Sequence, residues 1–418
     1  MIILNEYIET LGKKAKTAAP KLAVCDTEKK NTVLTEIARR LNENADAIIE
    51  ANKIDIENAR KNGMTEALID RLTLNESRIA GMAEGIEQVV ALPDPIGKLL
   101  EENTLPNGLK VKRVSVPMGV IGIIFESRPN VTVDAAALCF KAGSAVILRG
   151  GSDAINSNKY LTELMRKAVA ANGLSADCIQ LVEDTSHDTA NAMMRLNKYI
   201  DLLIPRGGGR LIRTVIENAS VPVIQTGEGN CHVFVDESAD LDMAVNIINN
   251  AKTQRPSVCN AIESILIHQN IAPELFKKLD GLWNGKVAIV GDQATANNIA
   301  VEKIATDEDY AKEFLELRLS SKVVSGVDEA IEHITRYGTG HSECIVTNSE
   351  ENAERFQKEI DAAAVYVNAS TRFTDGFEFG LGAEIGISTQ KLHARGPMGL
   401  TALTSYKYLI NGDGQIRG

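Results

Sequence analysis

Features of secreted, membrane and nucleic-acid-binding proteins are scarce in this sequence. Its six cysteines are scattered over 418 residues without Cys-x-x-Cys spacing, which excludes a disulfide-stapled small domain and gives no zinc or redox motif. No apolar run approaches the ~18 residues that a membrane helix needs. The 45 basic and 56 acidic residues give a net charge of −11, and no basic block occurs, so we expect neither nucleic acid nor a membrane as a partner.

The composition is that of an ordinary globular protein. Apolar residues make up 44% and charged residues 24% of the chain, and a length of ~150 residues per domain predicts two or three domains. The chain reaches Glu6 too soon for the basic start and apolar stretch of a signal peptide. We therefore expect a cytoplasmic protein.

Periodicity divides the chain into a helical start and a longer α/β part. Residues 5–90 carry apolar residues at spacings of three, four and seven, such as Val33, Ile37 and Leu41, and 73–76 has the form of a capping box. From residue 108 on, β-rich runs alternate with helical segments, which predicts parallel sheets covered on both faces, in two α/β layers joined near 226–245. The predicted strands are 111–116, 120–125, 145–148, 179–182, 202–204, 221–224, 233–235, 264–267, 287–290, 323–324, 345–347 and 365–367.

A strictly alternating segment at 111–117 has one polar side and ends at Pro117. It is either an exposed hairpin arm used in oligomerisation or an ordinary edge strand. A second strand is predicted at 405–410, and the two together suggest a dimer or tetramer.

One cysteine has surroundings suited to catalysis. Cys259 follows a turn restricted by Pro256, and free backbone N–H groups together with Arg255 would favour its thiolate. A structural role is the alternative, and it is the interpretation adopted for the other five cysteines.

Glycines follow two of the predicted strands. Arg206, Gly207, Gly208 and Gly209 stand between a strand and a helix, where backbone N–H groups and arginines could bind phosphate, although a structural turn is equally consistent. The pattern is neither a Gly-x-Gly-x-x-Gly fingerprint nor a P-loop.

The strand at 145–148 leads into Arg149, Gly150 and Ser152. No carboxylate stands at this strand end to hold a ribose hydroxyl, whereas Arg149 and Ser152 could accept a 2′-phosphate, which favours NADPH over NADH. A plain Gly-Gly turn is the alternative. His341 and His393 lie in polar, glycine-rich segments, and no spacing of ligands suggests a metal.

Read together, these segments resemble the aldehyde dehydrogenase superfamily, and most closely its branch that reduces gamma-glutamyl phosphate. The resemblance covers essentially the whole chain and is most specific at 330–343 and 379–400, with further matches at 127–130 and 254–260. It implies an aldehyde-dehydrogenase-like α/β fold with two parallel-sheet domains and a small β oligomerisation arm. The implied ranges are 1–108 and 118–228 for the cofactor domain, 229–366 for the catalytic domain, and 109–117 with 367–418 for the arm and C-terminal segment.

The resemblance also implies roles for individual residues. Cys259 would be the nucleophile and Glu313 the residue that holds the nicotinamide ribose. Thr226 stands where hydrolytic aldehyde dehydrogenases have the glutamate that activates water. Asn130 and Ser127 are candidates for the oxyanion site, beside the Cys259 backbone N–H.

The implied reaction is the reduction of L-glutamyl 5-phosphate to L-glutamate 5-semialdehyde by NADPH, through a thioester on Cys259, as the second step of proline biosynthesis. Ser127, Arg128, His341 and Arg395 are candidates for binding the substrate's anionic groups. Glutamate 5-kinase, which would transfer the substrate directly, is the candidate protein partner. A hydrolytic dehydrogenase and a non-catalytic nucleotide-binding regulator are the rival interpretations.

Overall fold

The computed structural model of the chain describes residues 2–126 and 128–417. Within these residues no helix combines the length and the apolar composition that crossing a membrane requires. The helices are α1 Ile2–Ala23, α2 Thr27–Glu43, α3 Ala45–Lys61, α4 Glu66–Leu72, α5 Glu76–Ala91, α6 Pro129–Lys141, α7 Ile155–Ala171, α8 His187–Met194, α9 Gly209–Asn218, α10 Leu241–Thr253, α11 Ala272–Trp283, α12 Gln293–Ala296, α13 Asp307–Tyr310, α14 Val327–Tyr337 and α15 Glu350–Glu359. The strands are β1 Leu99–Thr104, β2 Lys110–Pro117, β3 Val120–Phe125, β4 Ala145–Arg149, β5 Ile179–Leu181, β6 Leu202–Arg206, β7 Cys231–Val235, β8 Ile262–His268, β9 Ala288–Gly291, β10 Lys303–Ile304, β11 Arg318–Val324, β12 Ser342–Val346, β13 Ala364–Val367, β14 Ile387–Ser388, β15 Gly396–Pro397 and β16 Thr404–Asn411.

The helical start is confirmed, and its apolar face is buried as the spacing predicts. Val33 and Leu41 on α2 are fully buried. The predicted capping box at 73–76 is wrong, because Asn75 caps α5 instead: its Oδ1 accepts the backbone N–H of Arg78 at 2.9 Å. Thr73 ends α4, and its hydroxyl donates to the carbonyl of Ile69 at 2.7 Å.

The chain folds into two compact units. The first contains the residues up to Gln225, together with 381–386 and the residues from 398 on, and the second contains 226–380 and 387–397. The ranges predicted from the sequence differ at 226–228 and in the C-terminal part, where 367–380 and 387–397 go with the second unit and β16 with the first. The assignment of the units as cofactor and catalytic domains stays a prediction.

The first unit is built around a parallel sheet of strand order β5-β4-β3-β6. Its β3 is buried along its whole length, as expected for a parallel strand covered on both faces. The predicted strand at 221–224 is wrong, because only a single bridge joins Val223 to Leu203. Pro222 has no N–H with which to extend the ladder.

The second unit has a larger parallel sheet, of order β10-β9-β11-β8-β7-β12-β13. Its apolar core lies between this sheet and α10 and α11, around residues such as Phe276 and Trp283. The two parallel sheets with their helices confirm the predicted α/β fold class.

The segment at 111–117 belongs to a three-stranded antiparallel sheet of order β1-β2-β16 in the first unit, which we call the arm sheet. In it β2 is the central strand, with Val114 opposite Leu99 on one side and Lys407 on the other. The interpretation of 111–117 as an ordinary edge strand is therefore wrong. A role of the arm sheet in oligomerisation stays a prediction.

Candidate active site

Cys259 lies in the loop between α10 and β8 of the second unit, at the point where the chain turns into the sheet. The next residue anchors this loop: Asn260 donates its amide to the carbonyl of Thr374 at 2.9 Å, and Thr371 donates its hydroxyl to the carbonyl of Asn260 at 2.7 Å. Asn260 is buried whereas Cys259 is only partly buried. A partly exposed thiol on a fixed loop suits a nucleophile.

Two residues of β7 and the segment before it contact the backbone carbonyl of Cys259. The buried thiol of Cys231 donates a hydrogen bond to this carbonyl oxygen at 3.2 Å. Gly229 approaches so closely that an added Cβ would lie 1.5 Å from the same oxygen. Only glycine can therefore occupy position 229 without displacing the loop that carries Cys259.

The surroundings of the other cysteines disfavour thiolate. Cys139, Cys178, Cys231 and Cys344 are buried, and desolvation raises the pKa of each thiol. Cys25 is partly exposed, but burial raises its pKa as well, and its thiol donates to the carbonyl of Lys21.

Arg372 is a neighbour of Cys259 that the sequence alone does not reveal. It lies in a short 3-10 turn, Thr371–Phe373, and its Nε donates to Oε1 of Gln254 at 3.0 Å. Its carbonyl oxygen accepts the side-chain amide of Asn260 at 3.3 Å. The sequence shows an arginine at this position, but Arg372 is 112 positions from Asn260 in the chain, and only the fold brings the two together.

Glu313 reaches the same region from the loop between α13 and β11. Its Oε1 accepts the backbone N–H of Gly229 at 2.7 Å, and burial raises the pKa of its carboxyl. A buried ion pair supports the loop: Lys252 Nζ lies 2.7 Å from Oε2 of Glu263, whose Oε1 accepts the N–H of Leu315 at 3.1 Å.

Thr226 is buried and carries no carboxylate with which to activate water. The following glycine, Gly227, donates its N–H to the carbonyl of Ile387 at 2.9 Å. Glu228 is the acidic residue of this segment, and it is exposed.

His341 is fully buried just before β12, although the sequence suggests a polar loop. Its Nδ1 lies 2.8 Å from the hydroxyl of Ser342 and 3.6 Å from the thiol of Cys231, and burial lowers its pKa to about 4. The ring is therefore neutral at pH 7 and cannot bind an anion as a cation. Arg395 carries its charge but forms an ion pair with Asp361 at 2.8 Å.

In the first unit, the carboxyl ends of β3 and β6 lie side by side, with Phe125 opposite Arg206. Helices connect β3 to β4 and β4 to β5 on one side of β3, whereas β6 adds on the other side, so the two strand ends mark the topological switch point. Ligands of open α/β sheets bind at such points. The predicted Arg206–Gly209 turn lies here.

A carboxylate holds this turn. Oε2 of Glu126 accepts the N–H of Gly208 at 3.0 Å, and a Cβ on Gly207 would lie 2.4 Å from the same oxygen. Gly208 caps α9, and Gly209 is its first residue. The helix N-terminus is thus engaged by a negative side chain, as its dipole favours.

At the end of β4, Nη2 of Arg149 donates to the carbonyls of Thr185 and Ser186, at 2.5 and 3.2 Å. Its Nε is buried and has no hydrogen-bond partner among the described residues. Gly150 is required sterically, because a Cβ there would lie 2.2 Å from Nδ2 of Asn158. Ser152 is exposed.

Asn130 lies in the first turn of α6, where its amide donates to Asp134 at 3.0 Å. Burial raises the pKa of Asp134 to about 6, although the charge of Arg206 opposes the shift. Arg128 caps α6 and is exposed. Ser127 lies outside the described residues. In the described part of the chain no group of three or more His, Cys, Asp or Glu could hold a metal ion.

Comparison with known proteins gives one consistent result. Residues 4–300 match the model of the aldehyde dehydrogenase family. The chain is 58% identical to a gamma-glutamyl phosphate reductase of Clostridium novyi, over 100% of both chains, and 58% identical to one of Carboxydothermus hydrogenoformans, over 99% of this chain and 100% of the other. The crystal structure of the gamma-glutamyl phosphate reductase of Thermotoga maritima is similar at a TM-score of 0.96, with 48% identity over 98% of this chain and 100% of that one.

Proposed function

Because the chain belongs to the aldehyde dehydrogenase family, and within it to the gamma-glutamyl phosphate reductases, we propose that it reduces L-glutamyl 5-phosphate to L-glutamate 5-semialdehyde and phosphate with NADPH, as the second step of proline biosynthesis. The observation that carries the mechanism is the partly exposed Cys259 on a loop anchored by Asn260, with Arg372 bonded across that loop.

In this mechanism the Cys259 thiolate attacks the γ-carbonyl carbon. A sulfur–carbon bond forms, the carbon–oxygen bond to phosphate breaks, and phosphate leaves with that electron pair. When bound, NADPH supplies the hydride that reduces the resulting thioester. The Cys259 backbone N–H and the amide of Asn130 are proposed to stabilise the oxyanion, and the thiolate departs as the semialdehyde forms.

The thioester must survive until it is reduced. Thr226 supports this requirement, since a buried hydroxyl is a far weaker base than the glutamate of hydrolytic aldehyde dehydrogenases. The carboxylate of Glu313 accepts the Gly229 N–H, so it too is engaged. Reduction is therefore favoured over the hydrolytic alternative.

The residues of the switch point fit a dinucleotide. Gly207 and Gly208 offer close approach and a helix N-terminus for the pyrophosphate, and Arg206 adds positive charge. The orphaned Nε of Arg149 and the exposed hydroxyl of Ser152 suit a 2′-phosphate. Glu313 is proposed to hold the nicotinamide ribose, as the family resemblance implies.

The remaining substrate contacts and associations are also proposals. Arg128 and Arg395 are cations suited to the α-carboxylate, whereas the neutral His341 suits a positioning role. The arm sheet supports assembly into a homo-oligomer, and a cytoplasmic location with transfer from glutamate 5-kinase accords with the pathway.

The test follows NADPH oxidation with enzymatically generated L-glutamyl 5-phosphate. We expect turnover by the wild type and none by Cys259→Ala, with NADPH binding retained in both as measured by fluorescence. Turnover by Cys259→Ala would refute the nucleophile. Wild type that binds NADPH but turns over neither this substrate nor, in reverse, the semialdehyde would favour the non-catalytic alternative.

A further inference from the structure

Two arginines of the second unit flank the nucleophile. Arg255 lies within the Cys259 loop. Arg372 comes from a distant segment and forms two hydrogen bonds with the Cys259 loop. Its Nε donates to Gln254, the residue before Arg255, and its carbonyl accepts from Asn260, the residue after Cys259. The hydroxyl of Thr371 adds a third bond, to the carbonyl of Asn260.

Neither arginine is neutralised. In the described part of the chain no carboxylate oxygen lies within the 4.0 Å ion-pair distance of Arg255 or Arg372, in contrast to Arg395 with Asp361. Asp375 is near enough to act on Arg372, but its Oδ1 accepts the N–H of Phe377. Burial and then the charge of Arg255 lower the pKa of Arg372, so an anion beside both guanidinium groups would be stabilised.

The chemistry of the substrate identifies this anion. The phosphoryl group is bonded through oxygen to the carbon that Cys259 attacks, so it must lie beside the thiol during the reaction. Three carbon atoms separate the α-carboxylate from that carbon. A planar guanidinium group can bind two phosphate oxygens at once, through two parallel N–H···O hydrogen bonds.

We infer that Arg255 and Arg372 form the site for the phosphoryl group of the acyl phosphate and, in the reverse direction, for inorganic phosphate. This inference rests on the proposed function. The two arginines also differ from the residues that the sequence suggests for the anionic groups of the substrate, which are Ser127, Arg128, His341 and Arg395.

The test uses the reverse reaction, with the semialdehyde, NADP⁺ and inorganic phosphate. Arg255→Gln and Arg372→Gln should each raise the KM for phosphate about 10- to 100-fold, as expected from loss of a charge-assisted pair of hydrogen bonds, and change the KM for NADP⁺ less than about twofold. Arg372→Lys should be intermediate, because lysine keeps the charge but not the planar fork. Arg355→Gln is the matched control: its arginine is ion-paired with Glu359 on α15, and the phosphate KM should not change.

A second measurement does not depend on turnover. Inorganic phosphate should slow alkylation of Cys259 by iodoacetamide in the wild type and fail to do so in Arg372→Gln. The inference would be overturned if both glutamine variants kept the phosphate KM of the wild type and shifted only the pH profile of alkylation. The arginines would then merely activate the thiol. So would a larger effect of Arg395→Gln. Phosphate-independent oxidation by the wild type would instead refute the proposed function.

Discussion

Replacing Gly229 by alanine tests the geometry of the Cys259 loop directly. An added Cβ would lie 1.5 Å from the carbonyl oxygen of Cys259, 2.4 Å from its carbonyl carbon and 2.8 Å from its Cα. Real Cβ contacts are essentially never shorter than 3.0 Å, so either the Cys259 loop or the segment before β7 must move by about 1.5 Å. The contacting atoms are backbone, and no side chain can rotate away.

The same substitution would disturb the hydrogen bond that the backbone N–H of Gly229 donates to Glu313. A misplacement of about 1 Å at a reacting group costs about 10²-fold in rate. We therefore expect Gly229→Ala to lower kcat at least about 100-fold, and to lower the free energy of unfolding by about 1–3 kcal/mol through overpacking. Steady-state NADPH oxidation and urea unfolding measure the two effects.

Gly281→Ala is the control. Gly281 lies on α11, and an added Cβ there would meet nothing within 4 Å. We expect unchanged kcat and a gain of about 0.5–1 kcal/mol in stability from helix propensity. If Gly229→Ala keeps kcat within threefold of the wild type while folding normally, the loop does not hold the nucleophile as described.

Three further predictions concern single side chains. Glu126→Gln keeps a hydrogen-bond acceptor for the turn before α9 but removes a negative charge there. The Kd for NADPH, measured by equilibrium titration, should therefore fall about two- to fivefold. An unchanged or higher Kd would count against binding of the cofactor phosphate at this turn. Cys231→Ala should lower kcat about tenfold, because the Cys259 carbonyl loses its hydrogen-bond donor. Cys231→Ser should recover this loss, and Cys344→Ala, at an equally buried cysteine, should have little effect. Equal effects of both alanine variants would indicate that packing alone is responsible. The pKa of His341 is about 4 in the folded state and about 6.5 in the unfolded state, so between these pH values only the unfolded chain binds this proton. The free energy of unfolding should therefore fall by about 3 kcal/mol as the pH decreases from 6.5 to 4. Urea unfolding of His341→Gln should show a shallower slope, and an identical slope would contradict the neutral buried ring.

The sequence was most informative where a pattern extends over many residues. Apolar spacing predicts the buried face of α2, and continuous β-branched runs predict the parallel strands. The prediction for the cap of α5 is wrong because Thr73 and Asn75 are both good capping residues. Thr73 ends α4, so Asn75, directly before Glu76, is left to cap α5. Within 221–224, Pro222 is the residue that argues against a strand, because proline cannot donate a ladder hydrogen bond.

The candidate site was only partly accessible to such reasoning. Cys259 could be singled out because Pro256 and Arg255 lie beside it in the chain. Arg372 and Cys231 could not, because the fold brings each of them to the Cys259 loop from 28 to 118 positions away in the chain. His341 has a polar, glycine-rich neighbourhood in sequence and a buried one in space.

The central claim is that phosphate, and not water, resolves a thioester on Cys259. The most direct measurement follows NADPH formation from L-glutamate 5-semialdehyde and NADP⁺, with and without inorganic phosphate. Strict dependence on phosphate is the predicted result. Equal rates without phosphate would contradict the account, because water would then be the acceptor despite Thr226.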